Sequence, residues 1–392
     1  MIQKIIVMIS FLAFIGNAQA QKPETIYSFA RIRKPIPYYK EQAIAWKKEV
    51  DKDPKNANAW YNYFRVSKNL ANIDTTDKRT RTEKWDAIKL IVEKMGEEIP
   101  GSYEYNYVKF SYEGNNYDYL SYLKKADELS NGRTLHVDYM VNWGEIERNI
   151  ERRDKYCKQL YESGDFSPGL MYYNYNVMVG AKPNAIIFTI GDNDTYPIWL
   201  LQSQGIRRDI TALNLYLLNI DEYRNKVFKE LGIEKWDMQM SKDNLDSNND
   251  RAQKRFATEI IKHVAANKKN YPVYLALTAG SPEYLKPNEE NLFLTGLAYE
   301  YSLESPDNMA IMKRNFEQLY ALDYLEKPFY NDISKEITTE INCNYVVPML
   351  KLYDHYKISG DTQRMEWMKQ KLLFLTKGKP EEKEIKKHFE SN

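Results

Sequence analysis

The sequence predicts a protein of mixed α and α/β class, in which paired helical repeats flank a small, mostly parallel, three- to four-stranded doubly wound sheet. Residues 184–219 show an apolar run, a polar turn, a helical pattern and a second apolar run, which is typical of a parallel βαβ unit. On either side of this segment, apolar and aromatic residues recur at helical spacing. The 32 tyrosines suit packed helix pairs, because the ring can be buried while the hydroxyl stays in water.

The first half of the sheet is predicted from one continuous stretch. Ala185–Ile190 is apolar and rich in β-forming residues, as in a strand buried on both faces. The polar turn Gly191–Thr195 follows, and Tyr196–Gln204 then has the spacing of a buried helix. Ile210–Leu218 is the second apolar run. The acidic turn is therefore expected at the carboxyl end of the first strand, where open α/β sheets place ligands.

Further elements of the sheet region follow in order along the chain. The patterns predict two more helices and two more strands. These are a helix over Asp221–Leu231, a long amphipathic helix over Arg251–Lys268, a third strand over Tyr271–Ala279 and a fourth over Leu292–Ser302.

The flanking regions show helical hairpins. Residues 38–70 contain two apolar helical stripes joined by the turn DPKNANAW, which resembles a tetratricopeptide repeat junction. Asn344–Leu375 is a second hairpin of this type, with Gly360-Asp361 at its turn. We therefore predict a tetratricopeptide-like helical domain over 21–180, the α/β domain over 181–305 and a C-terminal helical hairpin region over 306–392.

The amino-terminal residues 1–20 have the composition of a signal peptide. Lys4 precedes the short apolar run Ile5–Ile15, and Ala18-Gln19-Ala20 is a small-x-small cleavage site. The apolar run is too short for a membrane anchor. We expect cleavage near Ala20 and an exported, soluble chain, periplasmic or otherwise outside the cytoplasm, that does not span a membrane.

Charge and cysteine content exclude several classes of protein. Without Lys4 the chain carries 55 basic and 55 acidic residues, so no basic excess exists to bind nucleic acid. The two cysteines, Cys157 and Cys343, cannot form a disulfide framework. We expect two unpaired, buried thiols, and a single bridge between them is the alternative.

Several segments occur in an order that resembles a known family. GDNDTYPIW, QGIRRDITALNLYLLN, PVYLALTAG and NLFLTGLAYEYS are followed by a terminal helix pair. This order is similar to the soluble C-terminal region of bacterial glycosyltransferase-like membrane proteins of the protein O-mannosyltransferase type, over roughly residues 150–376. In that family the transferase chemistry belongs to a membrane part. The resemblance therefore implies a periplasmic accessory module, and it implies no catalytic residues.

The acidic turn supplies the first candidate ligand-binding residues, Asp192, Asn193 and Asp194. Their oxygens can bind the hydroxyls of a glycan or another polar ligand, or hold Mg²⁺ or Ca²⁺. The interpretation that we favour is structural: Asp192 orders the turn, and Asp194 or Thr195 caps the next helix.

Three more candidates lie near the second strand. Arg207 and Arg208 can clamp an anionic group, but the interpretation that we favour is a solvated loop with a local ion pair to Asp209. Asn219 follows the strand and would face Asp192 across the carboxyl edge of the sheet.

Other catalytic patterns are missing from the sequence. The histidines lack metal-site spacing, no GxSxG motif occurs and no glycine-rich phosphate loop occurs, so we predict no catalytic residues, no metal and no cofactor. We favour a non-enzymatic interaction module that binds a protein or envelope-glycan partner. The alternative is a glycan-modifying hydrolase or transferase that uses Asp192 and Asp194.

Overall fold

The computed structural model describes residues 22–114, 116–236, 250–268, 270–279, 291–327 and 330–390. The predicted signal peptide lies outside these residues. The chain forms two compact units. The first contains the described residues up to Tyr27 together with Lys34–Tyr112, and the second contains Ser28–Arg33 together with the chain from Glu113 onward.

The first unit is built from four helices: α1 (Ile36–Lys52), α2 (Ala57–Ile73), α3 (Arg81–Glu98) and α4 (Tyr103–Tyr112). α1 packs against α2, and the turn between them ends where the Asn56 side chain accepts a hydrogen bond from the Ala59 amide at 3.0 Å. Thr80 and Glu83 form a reciprocal capping box at the start of α3. The predicted hairpin over 38–70 is therefore present as α1 and α2, while its tetratricopeptide character stays a prediction.

In the second unit, helices precede and follow the strands of a small sheet along the chain. Among the described helices of the chain, none is both long enough and apolar enough to cross a bilayer. The helices of this unit are α5 (Leu120–Glu128), α6 (Val137–Ile146), α7 (Ile150–Ser163), α8 (Pro168–Gly180), α9 (Asp192–Ser203), α10 (Asp221–Leu231), α11 (Asp250–Asn267), α12 (Asn308–Arg314), α13 (Lys335–Ile341), α14 (Val346–Ser359), α15 (Thr362–Thr376) and α16 (Glu382–Glu390).

The sheet has five described strands in the order β2-β1-β3-β5-β4. β1 is parallel to both β2 and β3, and β5 is antiparallel to both β3 and β4. The predicted βαβ unit is confirmed, since α9 connects β1 to β2 and Phe188 lies opposite Leu213. The strands are β1 (Ile186–Thr189), β2 (Thr211–Asn214), β3 (Val273–Ala276), β4 (Leu292–Leu294) and β5 (Ala298–Tyr301).

Two parts of the predicted sheet are wrong: the strand count of three to four and the mostly parallel character. Leu292–Ser302, predicted as one strand, is the antiparallel hairpin of β4 and β5. The chain reverses at Gly296, whose φ of +139° is a conformation that side chains other than glycine rarely adopt. A Cβ at this position would also collide with the Tyr320 hydroxyl. The single glycine in this apolar run therefore marks the turn between two strands, and the run is not one continuous strand.

A buried charge cluster joins three helices of the second unit. The side chain of Glu145 on α6 is fully buried. Its carboxylate contacts Arg148, accepts a hydrogen bond from Arg153 of α7 at 2.8 Å, and accepts one from the Tyr223 hydroxyl of α10 at 2.6 Å. A buried carboxylate is tolerated only when such partners replace the water it has lost.

Replacing Glu145 by alanine is expected to lower the free energy of unfolding by about 3–5 kcal/mol, because it leaves buried arginine charge without its carboxylate. Glu147→Ala is the matched control. Glu147 is exposed and pairs with Lys226 at 3.4 Å, an arrangement worth about 0.2–1 kcal/mol. Urea denaturation of both variants measures the difference, and equal losses would show that the cluster contributes no more than a surface ion pair.

Candidate functional site

The acidic turn is organised by the carboxylate of Asp194, the third residue of α9. Its oxygens accept hydrogen bonds from the amides of Ile190 at 3.0 Å and Gly191 at 2.7 Å. The Thr278 hydroxyl, just beyond β3, donates to the same carboxylate at 2.5 Å. Asp194 is only 3% exposed. Burial raises its pKa, and the hydrogen bonds from Thr278, Ile190 and Gly191 oppose that shift.

Asp194 therefore stabilises the helix start in a different way from the predicted one. The helix begins at Asp192, with Gly191 as its N-cap residue. Asp194 reaches back to the Gly191 amide from the third helical position, as the acidic residue of a capping box does. One carboxylate thus fixes the end of β1, the start of α9 and the chain after β3.

Pro197 explains the role of a buried asparagine nearby. Proline lacks an amide hydrogen, so the carbonyl of Asn193, four residues earlier, has no helical partner. The Asn174 side chain of α8 donates to that carbonyl at 2.8 Å. The missing hydrogen bond of α9 is therefore replaced from the neighbouring helix.

Arg31 contacts the turn from a distant part of the sequence. Its guanidinium donates to Asn193 Oδ1 at 2.9 Å and to Asp165 Oδ2 at 3.0 Å. It also stacks on the Phe166 ring, 3.7 Å from the ring centroid. Asn193 in turn donates to the carbonyl of Ala30 at 3.2 Å. These contacts fix the orientation of the Asn193 amide.

A cavity of about 500 Å³ lies beside the turn, at the carboxyl edge of β1 and β3. Asn193 lines it from the first strand's end, and Leu277 and Thr278 line it from the end of β3. Residues from earlier and later parts of the chain complete the wall. The other lining residues are Arg33, Leu294, Tyr299, Ile337, Glu340, Ile341, Cys343, Asn344 and Val347.

The three residues of the acidic turn lie in different environments. Asn193 lines the cavity, Asp194 lies behind the cavity wall and Asp192 is exposed. Among the described residues, no group of three or more His, Cys, Asp or Glu side chains is arranged to hold a metal ion. Of the turn, only the Asn193 amide therefore lines the cavity, and the Asp194 carboxylate contacts the lining residue Thr278.

The guanidinium of Arg207 is hydrogen-bonded to other groups of the protein. Its guanidinium donates to the carbonyls of Met178, Ala181 and Lys182, at or just beyond the end of α8, at 2.6, 3.1 and 3.1 Å. Its hydrogen bonds to Asp209 lower the pKa of that carboxyl to about 2. The Met178 carbonyl also accepts a hydrogen bond from the Ala181 amide at 3.3 Å, whereas carbonyls beyond the last turn lack helical partners, so Arg207 acts as a C-terminal cap of α8.

The last two candidates lie apart from the lining of the cavity. Arg208 is exposed and pairs with Asp154 at 3.0 Å. Asn219 is half-buried, and its side-chain oxygen has no hydrogen-bond partner among the described residues. Asn214, at the end of β2, instead reaches the turn by donating to Thr195 Oγ1 at 2.9 Å.

Sequence reasoning missed Arg31, Arg33 and Thr278 as site residues. The arginines precede the turn by more than 150 residues and carry no motif, and Thr278 ends an ordinary strand pattern. Both cysteines are free. Cys157 is buried as expected, whereas Cys343 is half-exposed and lines the cavity.

Asp194→Ala is expected to lower the free energy of unfolding by about 3 kcal/mol or more, since each of its three donors left without an acceptor costs about 1–3 kcal/mol. Asp192→Ala is the neighbouring control. It removes only an exposed charge from a helix start, worth about 0.3–1 kcal/mol. Chemical denaturation followed by circular dichroism distinguishes them, and a loss for Asp194→Ala below 1 kcal/mol would contradict the structural role.

Arg207→Ala and Arg208→Ala form a second adjacent pair. Loss of the Arg207 guanidinium leaves the carbonyls of Ala181 and Lys182 without their donor, so we expect destabilisation of about 1–3 kcal/mol. Arg208→Ala removes an exposed ion pair and should change stability by less than about 1 kcal/mol. Thermal unfolding of the two variants measures the contrast, which vanishes if Arg207 is only a surface residue.

Comparison with known proteins places part of this region in a family context. The family model described as TMEM260-associated domain 2 matches residues 171–278. The match runs from α8 to Thr278 and so includes β1, α9, β2 and β3. A comparison with curated proteins gave no match. The family match fits the protein O-mannosyltransferase-like context that the sequence resemblance implies.

Proposed function

We propose that this protein is an exported, non-enzymatic interaction module of the cell envelope. In this proposal the tetratricopeptide-like helices hold a protein partner, and the cavity at the sheet edge receives part of that partner or an envelope glycan. The partner would belong to a glycosylation or assembly system of the bacterial envelope, by analogy with the O-mannosyltransferase-like context. Residues 1–20 would be removed as a signal peptide.

The environment of Asp194 carries this proposal. A catalytic acid or base must come within hydrogen-bond reach of its substrate. Asp194 instead accepts hydrogen bonds from two backbone amides and from Thr278 while remaining 3% exposed. Its bonding capacity serves the fold, which supports a binding role for the turn over a catalytic one.

The lining of the cavity also supports binding. Its volume of about 500 Å³ lies in the range of small-molecule and side-chain pockets, about 300–1,000 Å³. Apolar side chains form much of the wall, and a few amide, hydroxyl and charged groups are placed among them. Such a mixture can hold and orient a ligand.

A second candidate function is a glycan-modifying hydrolase or transferase that uses Asp192 and Asp194. The observation in its favour is the raised pKa of Asp194, because buried carboxyls with raised pKa values serve as general acids in many enzymes. In this case Asp192, which is exposed, would be the second carboxylate.

Affinity capture from an envelope fraction tests the proposal with two variants of α14. Val347 lines the cavity and is 42% exposed, so Val347→Trp should fold and fill the mouth. Ile358→Trp is the control, because Ile358 is 90% exposed and does not line the cavity. We expect Val347→Trp to lose a partner that wild type and the control retain.

An activity assay separates the two candidate functions. The wild-type protein is incubated with envelope glycan, and newly formed reducing ends are measured. We expect none above background. Turnover that disappears in Asp192→Asn, a variant with intact folding, would replace the binding proposal with the enzymatic one.

A further inference from the structure

The lining residues of the cavity divide into a buried apolar wall and a charged rim. Leu294, Tyr299, Ile337 and Ile341 are each less than 10% exposed and form the wall. The side chains of Arg33 and Glu340 are 45% and 60% exposed and lie where the cavity meets solvent. A ligand that fits this gradient has an apolar group at one end and a charged or polar group at the other.

Arg33 keeps part of its hydrogen-bonding capacity unused. Its Nη1 lies 2.6 and 2.7 Å from the two oxygens of Glu340. Among the described residues, no acceptor is hydrogen-bonded to its Nε or Nη2. These two nitrogens form the planar edge that binds a carboxylate through two parallel hydrogen bonds. Arg33 can therefore hold a second carboxylate without releasing Glu340.

The charges around the cavity favour an anionic ligand. Glu340 is the acidic residue among the described lining residues, and Arg33 balances it. Lys379 adds a positive charge, since its ammonium lies 3.0 Å from the Sγ atom of the lining residue Cys343. Two cations therefore lie at or beside the rim with one exposed carboxylate, while the second carboxylate, that of Asp194, is buried behind Thr278.

The Thr278 hydroxyl favours a peptide over a fatty acid as the source of such a carboxylate. Its hydroxyl hydrogen is donated to Asp194, so the oxygen presents only acceptor sites to the cavity. An acceptor of this kind matches the N–H of a peptide and has no partner on a fatty acid.

We propose that the cavity binds the C-terminal end of a partner polypeptide whose last residue is apolar. Arg33 holds the terminal carboxylate, the wall of Leu294, Ile337 and Ile341 receives the last side chain, and Thr278 accepts a peptide N–H. Capture of a terminal carboxylate together with a side-chain pocket is a known mode of peptide recognition. The inference rests on the proposed binding function and names the part of the partner that enters the cavity.

Calorimetric titration of the full chain tests this with three probes. These are N-acetyl-Gly-Gly-Leu with a free C-terminal carboxylate, the same peptide as its C-terminal amide, and octanoate. We expect the acid to bind and the amide to bind roughly tenfold to hundredfold more weakly, because a charge-assisted bidentate contact is lost. Octanoate should bind more weakly than the acid peptide.

Arg33→Gln should remove the preference for the acid over the amide. Its pair with Glu340 is exposed, so the variant should fold like wild type, and thermal unfolding checks this. Arg208→Gln is the matched control, since Arg208 is also an exposed paired arginine but does not line the cavity. It should keep the full preference.

Cys343 gives a second readout inside the cavity. Cys157 is buried, so iodoacetamide should label Cys343 selectively in the native protein. The acid peptide should slow this labelling, and the amide should not do so at the same concentration. Labelling located by mass spectrometry shows which cysteine reacts.

Three results would overturn the proposal. Equal binding of acid and amide would remove the carboxylate from recognition, although a captured partner sensitive to Val347→Trp would still support an interaction module. Binding of octanoate but not of the peptide would make the occupant a fatty acid. Absence of binding by every probe, with unchanged labelling of Cys343, would exclude an amphipathic carboxylate.

Discussion

The carboxylate of Asp194 is the interaction on which the architecture of the sheet edge depends. It joins the two residues that follow β1, the first turn of α9 and the segment after β3 through three hydrogen bonds. Each of these groups would otherwise be a partly buried donor without this acceptor. The acidic residue at this position therefore acts through its hydrogen-bonding capacity in a buried location, and the donors offset the cost of burying its charge.

The parts of the fold that local sequence determines could be predicted. β1, α9 and β2 follow from apolar runs, a polar turn and a glycine stop, all within 36 consecutive residues. The antiparallel half of the sheet could not be predicted in the same way. Its hairpin depends on Gly296, and the reason for glycine there is the hydroxyl of Tyr320, a contact that appears only in the folded chain.

The candidate site was predicted only in part for the same reason. Asn193 and Asp194 were found because strand ends in α/β sheets are known positions for ligands. Arg31 and Arg33 belong to the second unit but lie far from the acidic turn in the sequence, and no local pattern marks them. Arg207 shows the opposite problem: it looks like an anion clamp in the sequence, but the end of α8 already supplies its acceptors.

The six residues from Ser28 to Arg33 belong to the second unit although the chain on both sides belongs to the first. A fragment cut at residue 113 would look like a natural domain by its length, yet it would lack Arg31 and leave Asn193 and Phe166 uncovered. A fragment of the second unit should therefore include Ser28–Arg33 joined to it by a linker, or should be co-expressed with the rest of the chain.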